Sequence, residues 1–131
     1  MGDIIVYIDR SEIREGKLAE LKAGVTRLAS VAQQLEPQLL SYSFFVDDEQ
    51  STMTIVVVHP DSASLEFHME TLAAEFRRLS PLLTLRSIEV FGHVSETAKT
   101  LLQAKARDLG NAEIAVHEQH AGFSRASSAT H

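Results

Sequence analysis

The chain has 131 residues, of which 44% are apolar, 23% are charged and none is cysteine. This length suits one domain built around one hydrophobic core, and the apolar fraction is that of a folded globular protein. The absence of cysteine excludes disulfides, thiolate catalysis and zinc–thiolate sites. The net charge of −6 disfavours a nucleic-acid partner, because an acidic surface repels phosphate backbones.

The sequence predicts neither a membrane span nor an export signal. No apolar run is long enough to cross a bilayer, and the N-terminus carries Asp3 where a secretory signal would carry basic residues. We therefore expect a cytoplasmic protein with no membrane partner.

The first part of the chain predicts a strand followed by a long helix. The β-branched and aromatic run 4–8 predicts a strand, which the polar segment 9–11 interrupts. Apolar residues then recur at alternating steps of three and four, as on one face of a helix that Pro37 ends. They are Leu18, Leu21, Val25, Leu28, Ala32 and Leu35.

The middle of the chain predicts a hairpin and a second helix. Residues 39–46 and 52–59 predict strands joined by the polar turn 47–51. The next helix, which Pro81 ends, is predicted by apolar residues at helical spacing. They are Leu65, Met69, Leu72, Phe76 and Leu79.

The last part of the chain predicts a fourth strand at 82–91, a third helix and a short fifth strand at 112–117. Ser95 is in place to cap the helix, and Gly110 ends it. Its inward-facing residues are Ala98, Leu101, Leu102, Ala106 and Leu109. We expect one domain over residues 1–125 and a flexible Ser/Ala-rich tail at 126–131.

This order predicts an α+β fold of the ferredoxin-like type, βαββαβ. Its antiparallel sheet carries helices on one face, and a C-terminal helix and short strand are added. The third strand is apolar on both faces, with Ile55 and Val57 on one side and Val56 and Val58 on the other. Since two main helices cover only one face, we expect a homodimer packed sheet to sheet. The alternative is that the third helix and the tail fold back over the second face.

Several local features then suggest a known family. In chain order they are Arg14-Glu15-Gly16-Lys17 before the first helix, Glu36-Pro37 at its end, Ser41-Tyr42 at the next strand, and Asp61, Leu65 and His68 at the second helix. Together they resemble the antibiotic biosynthesis monooxygenase superfamily of dimeric α+β barrels, over about two-thirds of the chain. The sequence departs from the family at Gln38, where a glycine is usual, and at 57–59, where Glu-x-Trp is common.

The resemblance implies a cleft in each subunit between the sheet and the helices. Enzymatic relatives oxidise quinols or phenolic polyketides with molecular oxygen, often without metal or flavin, so we expect no cofactor and no metal. Other relatives bind or degrade haem, and some members have no oxygenase activity. Likeness of fold alone does not establish a mechanism.

His68 is the candidate catalytic residue. It lies beside the apolar stripe of the second helix, and an imidazole titrates near neutral pH, so it is suited to remove a proton from a phenol. The resulting anion is electron-rich and reacts more readily with oxygen. The structural alternative is a half-buried histidine that bonds a backbone carbonyl.

His59, Tyr42, Tyr7 and Arg10 are the candidate substrate-binding residues. His59 ends the third strand, where it would lie near His68 at the mouth of the cleft. The two tyrosines offer phenol groups to a bound oxygen atom, and Arg10 offers a charge that stabilises a developing anion. The alternatives are a strand-end residue for His59 and ordinary core residues for the tyrosines.

Two further polar features have structural explanations. Arg86 lies mid-strand among apolar neighbours and is expected to pair with Glu89 or Glu66 at a dimer interface. The segment 117–120, His-Glu-Gln-His, lacks the spacing of a helical zinc motif and is interpreted as a polar strand end.

Three functions remain open from the sequence. The first is a cofactor-independent monooxygenase of a quinol or a phenolic, polyketide-like molecule, with His68 as base. The second is a non-catalytic, small-molecule-binding or stress-associated protein of the same fold, which the missing Glu-x-Trp favours. The third is haem binding or breakdown, with His68 or His59 as the axial ligand.

Overall fold

The structure is a computed structural model that describes residues 3–125, and the tail predicted at 126–131 lies outside this range. The strands are β1 (Ile5–Ile13), β2 (Ser41–Asp47), β3 (Thr52–His59), β4 (Leu83–Phe91) and β5 (Glu113–His117). The helices are α1 (Leu18–Leu35), α2 (Ser62–Thr71), α3 (Ala73–Leu79) and α4 (Glu96–Leu109), with a 3₁₀ turn at Ser80–Leu82. Within residues 3–125, no helix has both the length and the apolar character needed to cross a membrane.

The strands form one sheet in the order β2-β3-β1-β4-β5. The first four are antiparallel and follow the ferredoxin-like order. β5 pairs with β4 in parallel, because α4 carries the chain back across the sheet between them. The predicted α+β fold, with its added C-terminal helix and strand, is confirmed.

β1 is longer than predicted. The expectation that residues 9–11 interrupt it is wrong, because the strand continues to Ile13 and pairs with β3 and β4 on its two sides. Asp9 and Ser11 face the core, while Arg10 and Glu12 are exposed. The alternation of buried and exposed side chains therefore continues along β1, although its pairing with β4 shifts register between Arg10 and Ser11. In the sequence, polar side chains on the inner face of a strand look the same as the end of a strand.

The second predicted helix is divided into α2 and α3 at Leu72, whose backbone dihedrals, φ −100° and ψ 9°, leave the helical region. Asp61 caps α2 by accepting a hydrogen bond from the backbone N–H of Ser64. The predicted apolar face nevertheless continues across the break, and all five of its residues are buried.

All four helices lie on the same face of the sheet. The side chain of Lys105 on α4 bonds Tyr7 and Asp9, which lie on the inner face of β1, and α4 also packs on α2 and β4. The alternative in which the third predicted helix covers the opposite face is therefore wrong. The segment after β5 does lie beside that opposite face, where it forms an open groove with Val6 and Phe91.

The opposite face stays largely uncovered by residues 3–125. Its apolar side chains are half-buried or exposed: Ile4, Val6, Ile8, Phe45, Val56, Val58 and Phe91. Among them Phe45 is 58% exposed, which is unusual for an aromatic side chain in a sheet. The ion pair of Arg10 with Glu89, whose atoms are 2.8 Å apart, lies on the same face, where Glu89 is the cross-strand partner of Ile8.

The link from α4 to β5 predicts a stability effect at Gly110, which has a φ of +151°. A Cβ there would lie 2.7 Å from the carbonyl oxygen of Leu85 and 2.9 Å from Cγ2 of Thr84. We expect Gly110→Ala to lower the free energy of unfolding by about 3 kcal/mol, because backbone strain and overpacking add together. Urea unfolding of the variant measures this.

The matched control is Gly16→Ala. Gly16 also has a positive φ, +76°, but nothing lies within 4 Å of the added Cβ. Gly16→Ala should therefore lower the free energy of unfolding through backbone strain alone, by about 1 kcal/mol. Equal losses in the two variants would contradict the steric account of Gly110.

Candidate active site

A layer of polar side chains is buried between the sheet and the helices. Its members are Asp9, Ser11, Glu36, His59, Ser64, His68 and Lys105, each at most 9% exposed. Charged side chains are almost never fully buried unless they are paired. The layer divides into two parts, one around His68 and one around Lys105.

His68 and Glu36 form a buried pair. Nδ1 of His68 lies 2.8 Å from Oε2 and 2.9 Å from Oε1 of Glu36. His68 projects from α2, and Glu36 directly follows the last turn of α1, where Pro37 prevents the helix from continuing. The backbone thus turns at Glu36, and its carboxyl group enters the core. Nε2 of His68 has no hydrogen-bond partner among residues 3–125.

Burial sets the protonation of this pair. It raises the pKa of Glu36 to about 7, against a weaker lowering by the hydrogen bond from Gln38. It also lowers the pKa of His68 to about 3, and the positive charge of Lys105 acts in the same direction. The imidazole is therefore neutral at physiological pH, and the shared hydrogen bond carries one proton.

Glu36 decides which nitrogen of His68 is free to accept a proton. When Glu36 is protonated, it donates to Nδ1, so the proton of the neutral ring is on Nε2. When Glu36 is ionised, Nδ1–H donates to the carboxylate, and Nε2 presents a lone pair. Only the second state makes Nε2 a base.

His59 lies next to His68, with ring centroids 5.2 Å apart. Its Nδ1 is 2.8 Å from Oγ of Ser64, which also accepts a hydrogen bond from Nε2 of Gln38. Burial lowers the pKa of His59 to about 3, and its Nε2 is likewise without a partner among the described residues. The expected proximity of the two histidines is thus observed, but His59 is fully buried instead of lying at the mouth of a cleft.

Tyr42 connects the histidines to the surface. Its ring packs edge-on against His68, with centroids 4.9 Å apart. Burial, helped by the negative charge of Asp9, raises the pKa of Tyr42 well above its usual range, so the phenol stays protonated. Tyr42 and Glu36 also line an open groove of about 440 Å³ between the end of α1 and the start of β2. The groove lies one side chain away from His68.

The second part of the layer joins Lys105, Tyr7 and Asp9. Nζ of Lys105 donates to the hydroxyl of Tyr7 at 2.8 Å and to Oδ2 of Asp9 at 3.3 Å. Tyr7 in turn donates to Oδ2 of Asp9 at 2.5 Å. Burial raises the pKa of Tyr7 and lowers that of Lys105, although Asp9 opposes the shift of Lys105. Oδ1 of Asp9 has no partner within residues 3–125.

Phe76 lies between the two parts. Its ring centroid is 5.7 Å from that of His68 and 4.1 Å from Nζ of Lys105, a cation–π contact. The two polar groups are therefore neighbours within one layer.

The structure brings together four of the five residues that the sequence singled out. His68 contacts both His59 and Tyr42, and Tyr7 lies in the Lys105 part of the same layer. Arg10 points to the opposite face, where it pairs with Glu89. Its role in substrate binding stays a prediction, and it would require the site to extend beyond this layer.

The expected partner of Arg86 is wrong. Arg86 bonds Glu12 across β1 and β4 at 2.7 Å, close to the register shift.

In the C-terminal segment, the ring of His117 stacks on Phe91, and Nε2 of His117 lies 3.3 Å from Oε2 of Glu89. No group of three or more His, Asp or Glu side chains within residues 3–125 is placed to hold a metal ion.

Haem does not fit the two histidines that were considered as ligands. Both rings are at most 1% exposed, and they pack on each other, on Tyr42 and on Phe76. A porphyrin needs an open face at the ligating Nε2, and neither ring has one.

Three charged members of the layer were not predicted. Glu36 was interpreted only as a helix end and Asp9 only as a strand break. The sequence does indicate that Lys105 is buried, since it follows Leu102 by three residues and precedes Leu109 by four. A lysine on the apolar stripe of a helix points to a buried partner.

No family model matches the chain, and no curated protein sequence matches it. Solved structures do match. MupZ from Pseudomonas fluorescens has a TM-score of 0.72 at 20% identity, covering 94% of this chain and 95% of MupZ. SnoaB, a cofactor-independent oxygenase from Streptomyces nogalater, has a TM-score of 0.60 at 16% identity, covering 71% of this chain and 95% of SnoaB.

A third match is a candidate antibiotic biosynthesis monooxygenase from Caulobacter crescentus. It has a TM-score of 0.63 at 18% identity and covers 72% of this chain and 92% of its own. At these identities the matches establish the architecture. The chain has the fold of the antibiotic biosynthesis monooxygenase superfamily.

Proposed function

We propose that this protein is a cofactor-independent monooxygenase of a quinol or a phenolic, polyketide-like molecule. The observation that carries the proposal is the buried pair of His68 and Glu36, in which Nε2 of His68 has no partner within residues 3–125. A histidine held by a carboxylate at one nitrogen and unpartnered at the other has the arrangement of a general base.

The first step of the reaction is proton removal. When the side chain of Tyr42 moves aside, Nε2 of His68 takes the proton of the substrate hydroxyl, which for an anthrone belongs to the enol tautomer. Ionised Glu36 stabilises the imidazolium that forms. The substrate anion then gives electrons to molecular oxygen, and a carbon–oxygen bond forms. For an anthrone, the ring CH₂ becomes a carbonyl and the second oxygen atom leaves as water. The substrate itself supplies all the electrons.

The groove at Glu36 and Tyr42 supports a substrate of this size. Its volume of about 440 Å³ lies within the range of about 300–1,000 Å³ that is usual for small-molecule sites. The protonated phenol of Tyr42 is available there as a hydrogen-bond donor to a substrate oxygen. The shared fold with SnoaB, a cofactor-independent oxygenase, agrees with this chemistry.

The proposal includes a homodimer formed by the uncovered face of the sheet. That face carries Phe45, Phe91 and a row of half-buried aliphatic side chains, and among residues 3–125 only the segment after β5 lies beside it. Exposed apolar surface of this extent is typical of an interface. Twofold packing of two identical faces would bury it.

A non-catalytic binding protein is the second candidate. The observation that favours it is the complete burial of His68 and His59, which leaves substrate access dependent on movement at Tyr42. In that case the groove holds a small aromatic molecule that is released unchanged.

Oxygen consumption with anthrone or a naphthoquinol separates the two candidates. We expect the metal-free protein to consume oxygen, and His68→Gln to lower the rate by about a hundredfold or more, the usual contribution of a general base. Glutamine still bonds Glu36 but cannot accept the proton. His93→Ala, at an exposed histidine, is the matched control and keeps the wild-type rate.

Unchanged turnover in His68→Gln would contradict the role of His68 as base. A bound quinol that is recovered unconverted, together with no oxygen consumption, would favour the binding protein.

The rate is expected to depend on pH through Glu36. Only ionised Glu36 leaves the Nε2 lone pair available, so activity rises with pH through the Glu36 pKa of about 7 and is level above it. A pH–rate profile of the wild-type protein measures this limb. Above this pKa, Glu36→Gln should be slower than the wild-type protein, and its profile should lack the limb. A limb near the same pH in that variant would assign the titration to another group.

The dimer is tested by light scattering during size-exclusion chromatography. We expect the wild-type protein to have twice the mass of one chain, and Val56→Lys, on the uncovered face between Ile8 and Ser43, to be monomeric. A lysine there places an unpaired charge in the interface. Ala23→Lys, on the exposed side of α1, is the control and should remain dimeric. A wild-type monomer at micromolar concentration would contradict the dimer.

A further inference from the structure

Lys105 and its partners form a polar site that is separate from the groove at Glu36. The side chain of Lys105 is 7% exposed and that of Asp9 is 1% exposed. An ammonium group has three hydrogens to donate. Tyr7 and Asp9 accept two of them, and residues 3–125 provide no third oxygen or nitrogen acceptor; the ring of Phe76 lies 4.1 Å from Nζ.

A groove between α3 and α4 leads to this lysine. It has a volume of about 120 Å³ and lies on the side of Lys105 and Phe76. Apart from Lys105, its lining is mostly apolar, with the exposed side chains of Arg77 and Asp108 as the other charged groups. The remaining lining residues are Met69, Ala73, Leu101, Ala104 and Leu109.

A smaller cavity continues inward from the groove. It measures about 20 Å³ and shares Phe76, Lys105 and Leu109 with the groove. Asp9 also lines it, and Oδ1 of Asp9 is the buried oxygen that lacks a partner within residues 3–125. This volume is enough for a single water molecule. The lysine therefore lies between the outer groove and a small inner cavity, in which Asp9 and Ser11 are the other polar lining residues.

We propose that the groove between α3 and α4 is a second ligand site, which binds a neutral, single-ring molecule through a carbonyl oxygen that accepts a hydrogen bond from Lys105. The outer volume is near that of an apolar cavity of about 150 Å³ that holds benzene. A carbonyl group supplies the acceptor that Lys105 lacks.

Charge decides between a neutral ligand and an anion. Asp9 already balances Lys105, so a carboxylate bound there would leave one negative charge uncompensated in a buried place. A carbonyl oxygen accepts the hydrogen bond without that penalty. The site thus selects ketones over the corresponding acids.

The lengths of the matched proteins indicate that the Lys105 site depends on the C-terminal part of this chain. SnoaB is covered at 95% of its own length but matches only 71% of this chain, whereas MupZ matches 94% of it. The shorter match is close to the size of the β1–β4 portion, and Lys105 is supplied by α4, which follows that portion. The added helix therefore brings a cation into the layer.

Binding of acetophenone, followed by NMR titration, tests the proposal without any turnover. Its hydrocarbon counterpart of equal shape is α-methylstyrene, and benzoate is the acid. We expect the wild-type protein to bind acetophenone about tenfold more tightly than α-methylstyrene, the gain from one hydrogen bond to a charged donor. Benzoate should bind more weakly than acetophenone. The shifted signals should include Leu101, Ala104 and Leu109.

The variant must remove both buried charges, since Lys105→Met alone leaves Asp9 unpaired. We expect the double variant Lys105→Met with Asp9→Asn to fold and to bind acetophenone and α-methylstyrene equally. Lys99→Met, on the same helix at an exposed pair with Glu96, is the control and keeps the tenfold preference.

Equal binding of the two probes by the wild-type protein would overturn the proposal, as would a preference that survives in the double variant. Shifts confined to the groove at Glu36, or no binding of any probe, would also overturn it. These outcomes are independent of oxygen consumption, so the oxygenase and the second ligand site succeed or fail separately.

Discussion

Lys105 of α4 reaches Asp9 of the central strand through the hydrophobic layer, and neither charge is tolerated there without the other. This pair ties the C-terminal helix to the middle of the sheet. It also sets the electrostatic surroundings of the layer. The charge of Lys105 helps to lower the pKa of His68, and the charge of Asp9 helps to raise that of Tyr42.

Two of the grooves formed by residues 3–125 lead from the surface to the layer between the sheet and the helices. One groove meets Glu36 and Tyr42 beside the histidines, and the other meets Lys105 and Phe76 between α3 and α4. Buried ionic groups seldom stabilise a fold as much as packed apolar residues of similar volume do. Two buried pairs with unpartnered atoms at Asp9 and His68 are therefore better explained by a function than by stability.

Much of the fold follows from the spacing of apolar residues, because the periods of helices and strands differ. The sequence predicts only part of the candidate site. His68, His59 and Tyr42 were found from motifs and strand ends, while Glu36 and Lys105 were not. Their partners are distant in sequence, with Glu36 32 positions from His68 and Lys105 96 positions from Asp9. Local patterns show that a polar residue faces the core, but the partner is fixed only by the topology.

The ion pair makes the C-terminal helix and the aspartate of the central strand dependent on each other. A helix with a neutral residue at position 105 would still cover Asp9 but would leave it with no cation, and an uncompensated buried charge costs about 3–5 kcal/mol. A chimera that takes its C-terminal helix from a protein without such a lysine therefore needs a neutral residue in place of Asp9 as well.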